Sequence, residues 1–239
     1  MVVSLEGWLS HGCLEEERAA LLQIKHILDF PTRTSLPSWR EDDADCCSWQ
    51  RIECNVTTGR VTLIDLSYAR DLELGDWYLN ASLFLPFEEL NDLSLSRNGI
   101  VGCVENEGFQ KLWKLDNLEI LDLGDNNFNN TSTLISSLSG LLSLKSLYLN
   151  NVGLKGSINI HDLNRLRNLE VLDLRGNEIE GFKSYHGGEK LLTLNNLKYL
   201  GLDNNRFDNN ILSSLKGLSS LNYPNIAYNR VKRLINLKG

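Results

Sequence analysis

One spacing of leucines recurs along this sequence and fits neither a regular helix nor a regular strand. In the stretch LEILDLGDNNF, residues 118–128, leucine-type positions are spaced by three and then two residues, and an asparagine follows three residues later. A helix repeats its apolar positions at intervals of three and four, and a half-buried strand at every second residue. The stretch therefore indicates a repeating unit of another kind.

Seven copies of this unit can be aligned with each other. They begin at Val61, Leu90, Leu118, Leu144, Leu169, Leu197 and Leu221. The first copy is looser than the others, and the last has Pro224 where the second leucine belongs. Successive copies start 24 to 29 residues apart. In rhythm and length the units resemble leucine-rich repeats, which have roughly 20 to 29 residues.

Each unit predicts one short strand and a return segment. Leu121 and Leu123 alternate with Asp122, so the two leucines face a core and the aspartate faces outward. Because parallel strands need a crossover of a dozen or more residues, successive strands should lie side by side. The expected fold is α/β, a leucine-rich repeat solenoid. Its curved parallel sheet lines the concave face, and short helices or irregular coil form the convex face.

The return segments give weaker signals. Leu134, Leu138 and Leu141 have helical spacing, which predicts a short helix on the convex side. Units of the plant type usually carry a Gly-x-Ile-Pro step, and only LKGSI at residues 154–158 approaches it. We therefore do not expect a second sheet on the flank.

An asparagine ends the strand of most units, and an inward carboxamide must find hydrogen-bond partners. Its donors and acceptor can bond the backbone groups that the turn leaves free, in its own coil and in the neighbouring coil. The column comprises Asn98, Asn126, Asn177, Asn205 and Asn229 and is broken by Ala69 and Val152. We expect a structural ladder with interruptions at those two positions.

Three segments follow from these patterns: a leader at 1–12, an N-terminal cap at 13–57 and about seven repeats at 58–239. The leader MVVSLEGWLSHG fits either the remainder of a secretory signal or an unstructured extension, because small residues precede Cys13 but no basic residue precedes the apolar part. The chain stops at RLINLKG without a second cysteine pair or a capping unit. Repeat arrays generally require caps, so we expect the native frame to continue into further repeats.

Four of the five cysteines lie ahead of the repeats and flank a helical segment, CLEEERAALLQIKHIL. They are Cys13, Cys46, Cys47 and Cys54. Four cysteines permit three connectivities, and a bond between adjacent Cys46 and Cys47 would be strained, so each should have a separate partner. The segment, together with Trp39 and DCCSWQRIEC, resembles the N-terminal cap of plant extracellular leucine-rich repeat proteins. That resemblance implies the pairs Cys13–Cys46 and Cys47–Cys54, although Arg51 and Ile52 depart from the usual pattern.

Disulfides indicate an oxidising compartment, and four N-glycosylation sequons agree with it. Their acceptors are Asn55, Asn80, Asn129 and Asn130. The last two also fit an ordinary polar turn. The fifth cysteine, Cys103, has no cationic neighbour in sequence, so we expect a buried free thiol.

Several classes of function are disfavoured. The net charge is −7 and no basic cluster alternates with aromatic residues, which disfavours nucleic acid as a partner. The sequence has no apolar run of the roughly 20 residues that a membrane span needs. The cysteines lack the spacing of a zinc site, and no nucleophile motif or phosphate loop appears. Asp122 and Asp173 should lie roughly 10 Å apart, too far for a glycosidase pair. We expect no enzyme activity, no metal and no cofactor.

The outward positions of the strands form columns on the concave face, where a ligand has access. Aromatic residues and arginine are enriched at the energetic centres of interfaces. The candidate contact residues are Tyr148, Arg175, Tyr199 and Tyr223, with Asp122 and Asp173 as polar partners. The alternative is a solvated face whose residues only suit a strand.

Three interpretations of function remain. The first is the ectodomain of a plant receptor-like protein, on the outer side of the plasma membrane, that recognises a peptide, protein or glycan with or without a co-receptor. The second is a secreted inhibitor of a microbial wall hydrolase that resembles the polygalacturonase-inhibiting proteins. The third is a non-functional fragment. The resemblance implies the first, and the identity of a ligand does not follow from it.

Overall fold

The computed structural model describes residues 13–29, 35–184, 191–221 and 224–232, so the leader predicted at 1–12 lies outside the described residues. The strands are β1 (Ile52–Cys54), β2 (Val61–Asp65), β3 (Trp77–Leu79), β4 (Asp92–Ser94), β5 (Ile100–Cys103), β6 (Ile120–Asp122), β7 (Ser146–Tyr148), β8 (Lys155–Asn159), β9 (Val171–Asp173), β10 (Glu178–Lys183) and β11 (Tyr199–Gly201). The α-helices are α1 (Glu15–Asp29), α2 (Leu134–Leu138), α3 (Ile160–Leu163) and α4 (Ile211–Ser214). Short 3-10 helices lie at Cys46–Ser48, Leu72–Leu74, Ala81–Phe84, Phe109–Lys114 and Leu215–Gly217.

The main sheet has one strand from the cap and one from each of the first six repeats. Its order is β1-β2-β4-β6-β7-β9-β11. Strands β2 to β11 of this sheet are parallel and in register, whereas β1 pairs with β2 in the antiparallel direction. The predicted parallel solenoid is confirmed, and the cap adds an antiparallel edge strand that the sequence did not indicate.

Stacked leucines form the core. In the third repeat Leu118, Leu121 and Leu123 are fully buried, and the equivalent leucines of the neighbouring repeats join them in one continuous cluster. Burial of one such side chain stabilises the fold by about 1.5–3 kcal/mol. A single coil cannot enclose these side chains, so each coil depends on its neighbours.

The asparagine ladder forms as predicted. The amide nitrogen of Asn126 donates to the carbonyls of Leu95, Leu123 and Gly124, at 3.1, 2.9 and 3.3 Å. Its oxygen accepts the backbone N–H groups of Asn98 and Ile100, at 3.1 and 3.0 Å. One side chain thus joins its own coil to the preceding coil.

The ladder is interrupted where the sequence predicts. Val152 is fully buried at the asparagine position of the fourth repeat. Its own backbone N–H is still satisfied, because Asn177 of the next coil accepts it at 3.1 Å. Only the link made by the missing carboxamide is therefore lost.

The expectation of no second sheet on the flank is wrong. Two small parallel sheets form there, β3 with β5 and β8 with β10. Adjacent coils leave their asparagine turns side by side, and Asn177 accepts the N–H of Leu154 just before β8 begins. The backbones then run close enough to pair, and the inward side chains of Ile100, Ile158 and Phe182 are buried. Pairing therefore occurs without a Gly-x-Ile-Pro step.

The seventh repeat has no full strand in the described residues. Asn225 continues the sheet through one parallel bridge to Gly201. Its N–H donates to Leu200 and its carbonyl accepts from Leu202, at 3.2 and 2.8 Å. Pro224 has no N–H to donate, so a regular ladder cannot extend through it.

The cap closes the first end of the core. In α1, Leu21, Ile24 and Leu28 are buried, as the helical spacing predicts. Glu17 is fully buried, accepts the guanidinium of Arg60 at 2.9 Å and accepts the N–H of Val61 at 3.2 Å. A charged group thus fastens the helix to the first repeat.

The disulfides join Cys13 to Cys46 and Cys47 to Cys54, the pairs that the resemblance implies. Cys103 is free and half-buried, and burial raises its pKa to about 11. The thiol is free, as expected, but it is only partly buried where full burial was expected.

Candidate functional site

The outward side chains of the main sheet form the columns that the repeat spacing predicts. The column between the core leucines consists of Asp65, Ser94, Asp122, Tyr148, Asp173, Gly201 and Asn225. The column before it consists of Leu63, Asp92, Ile120, Ser146, Val171 and Tyr199. The repeat spacing predicts Tyr223 in this second column, but this residue lies outside the described residues.

Arg175 and Asp173 form a fixed pair on this face. Asp173 is only 2% exposed, and its carboxylate accepts Nε and Nη2 of Arg175 at 2.9 and 2.6 Å. Its Oδ1 also accepts the backbone N–H of Arg175 at 3.0 Å. Hydrogen bonding to Asp173 raises the pKa of Arg175 above its ordinary value, so the guanidinium stays charged. Asp173 therefore orients Arg175, and the arginine is the exposed member.

Gly201 provides the space for this pair. A Cβ atom at residue 201 would lie 2.8 Å from Oδ1 of Asp173, 2.9 Å from Cγ of Arg175 and 3.0 Å from the hydroxyl of Tyr199. Tyr199 is 37% exposed, and burial raises its pKa. The sequence analysis did not identify Gly201 as a site residue. The signal available was a glycine at a column position that carries a side chain in the other repeats.

Tyr148 lies between the two predicted aspartates. It pairs in register with Asp122 on one side and with Asp173 on the other. Asp122 accepts the N–H of Gly124 at 2.8 Å, and burial raises the pKa of this carboxylate. Because Asp173 is bound by Arg175, the two aspartates do not form a carboxylate pair for acid–base chemistry. Within the described residues, the structure thus brings five of the six candidates onto one face.

A hollow of about 570 Å³ occupies the N-terminal half of the face. It is lined by Arg51, Ile52, Glu53, Leu63, Asp65, Ser67, Asp92, Ser94, Ile120, Asp122 and Tyr148. Burial and the nearby charges of Asp65, Asp122 and Glu53 raise the pKa of Asp92. The hollow is therefore acidic, with apolar and aromatic side chains between the carboxylates.

Basic side chains that flank the strands are bound to carboxylates. Across coils, Lys145 contacts Glu119 at 2.7 Å and Lys198 contacts Glu170 at 2.5 Å. These two cross-coil pairs lie beside the strands, in the residues just before β6, β7, β9 and β11. Within each pair, the lysine and the glutamate neutralise each other at that edge of the face.

The opposite edge has its own chain of contacts. Arg97 contacts Asp125 of the next coil at 2.9 Å and lies over the ring of Tyr68, 4.7 Å from its centroid. Asn151 donates to the same aspartate at 2.7 Å. A Cβ at Gly176 would lie only 1.7 Å from Oδ1 of Asn151, and Gly176 has a φ of +66°. These residues occupy the turn position before the asparagine column, for which the repeat spacing gave no prediction.

The four predicted glycan acceptors differ in accessibility. Asn129 and Asn130 are exposed. Asn55 is half-buried and donates to Glu89 at 3.0 Å, and the half-buried Asn80 accepts the N–H of Ser82 at 3.0 Å. Glycosylation at all four remains a prediction, and the loop at residues 129–130 is the most open of the three sequon regions.

The described part of the chain contains neither a metal site nor a membrane-spanning helix. No group of three or more His, Cys, Asp or Glu side chains there could hold a metal ion. No helix there has the length and apolar composition needed to cross a membrane.

Two family models match parts of the sequence. The Leucine rich repeat N-terminal domain matches residues 14–55, and the Leucine Rich Repeat matches residues 117–141 and 196–218. The first match covers the segment predicted to be the cap, and the others fall in the predicted repeats.

Sequence relatives are receptors of plants. Cuscuta receptor 1 of Solanum lycopersicum is 38% identical over 235 residues, which is 92% of this chain and 20% of the relative. Receptor like protein 21 of Arabidopsis thaliana is 38% identical over 229 residues, which is 88% of this chain and 22% of the relative. The chain thus spans about a fifth of the length of these curated relatives.

Among solved structures, the BIR2 ectodomain from Arabidopsis thaliana is similar, with a TM-score of 0.52 and 21% identity. The match covers 71% of this chain and 84% of that one. At this identity the likeness shows the fold alone.

Proposed function

The chain belongs to the plant receptor-like proteins with leucine-rich repeats. On this premise, we propose that it recognises a ligand through its concave face as part of a receptor ectodomain. The ligand would be a peptide, a protein or a glycan, bound with or without a co-receptor. The receptor would present this face outside the cell, on the outer side of the plasma membrane. Two disulfides in the cap suit that oxidising compartment.

The observation that carries the proposal is the fixed arginine between two tyrosines. Tyr148 lies in β7 and Tyr199 in β11, and Arg175 follows β9, the strand between them in the main sheet. Asp173 holds the guanidinium in place before any ligand arrives. Side chains that are already ordered lose less conformational entropy on binding, and aromatic residues and arginine dominate the energetics of many interfaces. This arrangement suits binding, since nothing in it provides a nucleophile or a proton-transfer pair.

The proposal is tested with secreted protein and the low-mass peptide fraction of leaf wall fluid, using biolayer interferometry. The test variant carries Arg175→Ala and Tyr199→Ala on the concave face. The control variant carries Trp113→Ala and Leu142→Ala, two exposed apolar residues outside the strands of the main sheet. We expect the concave variant to lose at least about tenfold in binding, since each central contact is worth more than about 1 kcal/mol. The control should bind as the wild type does.

Binding that the control substitutions abolish and the concave substitutions leave intact would place recognition on the convex side and refute the proposal. Circular dichroism and thermal melting of each variant establish that it is folded. Because Arg175 and Tyr199 are both partly exposed, we expect their removal to leave the core intact.

A further inference from the structure

The acidic hollow contains negative charges that the protein does not neutralise. In the described residues, Glu53, Asp92 and Asp122 have no basic side chain within ion-pair distance. Arg51 is the one cation that lines the hollow, and it lies against a fourth carboxylate of the lining, Asp65. Its Nη1 donates to the carbonyl of Ser67 at 2.7 Å and lies 3.8 Å from a carboxylate oxygen of Asp65.

Basic side chains near the strands of the main sheet are already paired outside the hollow. Four basic residues that lie one to three residues before or after strands of the main sheet each contact a specific carboxylate at 2.9 Å or less. They are Arg97, Lys145, Arg175 and Lys198. None of these four cations is therefore available to the carboxylates of the hollow. In the hollow the carboxylates of Glu53, Asp92 and Asp122 lie near each other without being directly opposite, and their like charges repel, which contributes to the raised pKa of Asp92.

The lining also favours an organic cation over a metal ion. The carboxylates are distributed over β1, β4 and β6, and the described residues contain no acidic group compact enough to hold a metal. Between them lie Leu63 and Ile120, which can pack against an aliphatic stem. Tyr148 forms the C-terminal wall and offers an aromatic ring to a cation. A lysine or arginine side chain combines both properties.

We infer that the hollow docks a basic segment of a peptide ligand, with a lysine or arginine side chain inserted among Glu53, Asp92 and Asp122. This inference rests on the proposed function, because it names the chemistry of the ligand for the same concave face. The volume of about 570 Å³ accommodates one long side chain and its neighbouring residues. Charge complementarity identifies the occupant, since the missing positive charge must come from the partner.

The test uses three synthetic probes and fluorescence anisotropy. Each probe is a fluorescein-labelled 12-residue peptide that repeats Ser-Gly-Lys, Ser-Gly-Gln or Ser-Gly-Glu. We expect the lysine peptide to bind at least about tenfold more tightly than the glutamine peptide, and the glutamate peptide not to bind. Raising the salt from about 0.05 M to 0.3 M should weaken the binding severalfold, because exposed charges are screened.

Two double variants separate a specific hollow from the net charge of the chain. The test variant carries Asp92→Asn and Asp122→Asn, and the control carries Glu73→Gln and Glu180→Gln, two exposed carboxylates outside the strands of the main sheet. Both remove the same charge. We expect the test variant to lose at least about tenfold in affinity for the lysine peptide and the control to lose less than about twofold.

Equal losses in the two double variants, or equal affinity for the lysine and glutamine probes, would overturn the inference. These outcomes differ from a failure of the proposed function. If wall-fluid peptides require Arg175 and Tyr199 but the lysine probe shows no preference, the ligand is recognised without a basic group. If the lysine probe binds in the hollow but wall-fluid peptides ignore the concave face, the receptor proposal fails instead.

Discussion

Replacing Asn126 by alanine should loosen two adjoining coils and leave the rest of the array unchanged. The carboxamide is almost fully buried, and its oxygen accepts the N–H groups of Asn98 and Ile100. Alanine leaves both donors without an acceptor. A buried donor without a partner costs about 1–3 kcal/mol, so the two donors should give a local loss of about 2–6 kcal/mol.

The suitable assay is hydrogen exchange, because a repeat array opens locally and global unfolding would average over its coils. A loss of about 3 kcal/mol corresponds to a decrease in protection on the order of 10²-fold at the amides of Asn98 and Ile100. The amide of Ile179, which Asn205 accepts at 2.9 Å, should keep its protection and serves as the internal reference.

The matched control is the next residue. Asn127 is exposed, and its carboxamide makes no hydrogen bond to the described part of the chain, so Asn127→Ala should change protection by less than about twofold. If Asn126→Ala left the two amides as protected as in the wild type, or if both variants behaved alike, the structural role assigned to the ladder would be wrong.

Three further predictions follow from other contacts. Gly176→Ala should lower the free energy of unfolding by about 1–3 kcal/mol, because the new Cβ meets Asn151 at a positive φ; thermal melting checks this, and an unchanged melting temperature would contradict it. Asp92→Asn should raise the free energy of unfolding by about 0.5 kcal/mol at pH 7, because burial raises the pKa of Asp92 and so disfavours its charged form. The gain should vanish as the pH falls through the folded pKa, since the wild-type carboxyl then becomes neutral too. Urea unfolding at pH 7 and pH 3.5 measures the gain, and a larger gain at pH 3.5 would contradict the prediction. Cys103 should react with iodoacetamide at pH 8 on the order of 10²-fold more slowly than free cysteine, since burial raises its pKa to about 11. Mass spectrometry follows the rate of alkylation, and a rate equal to that of free cysteine would contradict the prediction.

The repeat fold could be predicted from the sequence because its signal is local and recurs. Leu118, Leu121 and Leu123 specify one strand, and six further copies specify the stacking. The outward columns follow from the same register, so the positions of Tyr148 and Tyr199 were predictable. The disulfide pairing required the resemblance to plant caps, since the cysteine spacing left two connectivities.

The flank sheets could not be predicted because they depend on backbone paths. Strands β8 and β10 pair since neighbouring coils leave their turns in parallel, and this path has no strong side-chain pattern. The same limit applies to the pairing of charges. Whether Lys145 reaches Glu119, or Asp92 remains without a cation, depends on side-chain geometry between residues that are a whole coil apart.

Within the site, the sequence pointed to Asp173 and Arg175 as two contacts. The structure makes them one unit, because Asp173 is buried beneath the arginine it binds. Gly201 completes the unit through the side chain that it lacks. A missing side chain carries no positive signal in a pattern of apolar and polar residues, which is why this residue escaped the sequence analysis.

The two kinds of ion pair differ in how they would survive recombination. Asp173 and Arg175 lie in one coil, so an unequal crossover that inserts or deletes a whole repeat would move the pair intact to a new height in the array. Arg97 and Asp125 lie in successive coils, and an insertion between them would separate the partners. Heritable shuffling of repeats would therefore move the arginine together with its aspartate, and the pair would keep its space only where the following coil has a glycine at the position of Gly201. The contacts along the turn edge would be reset.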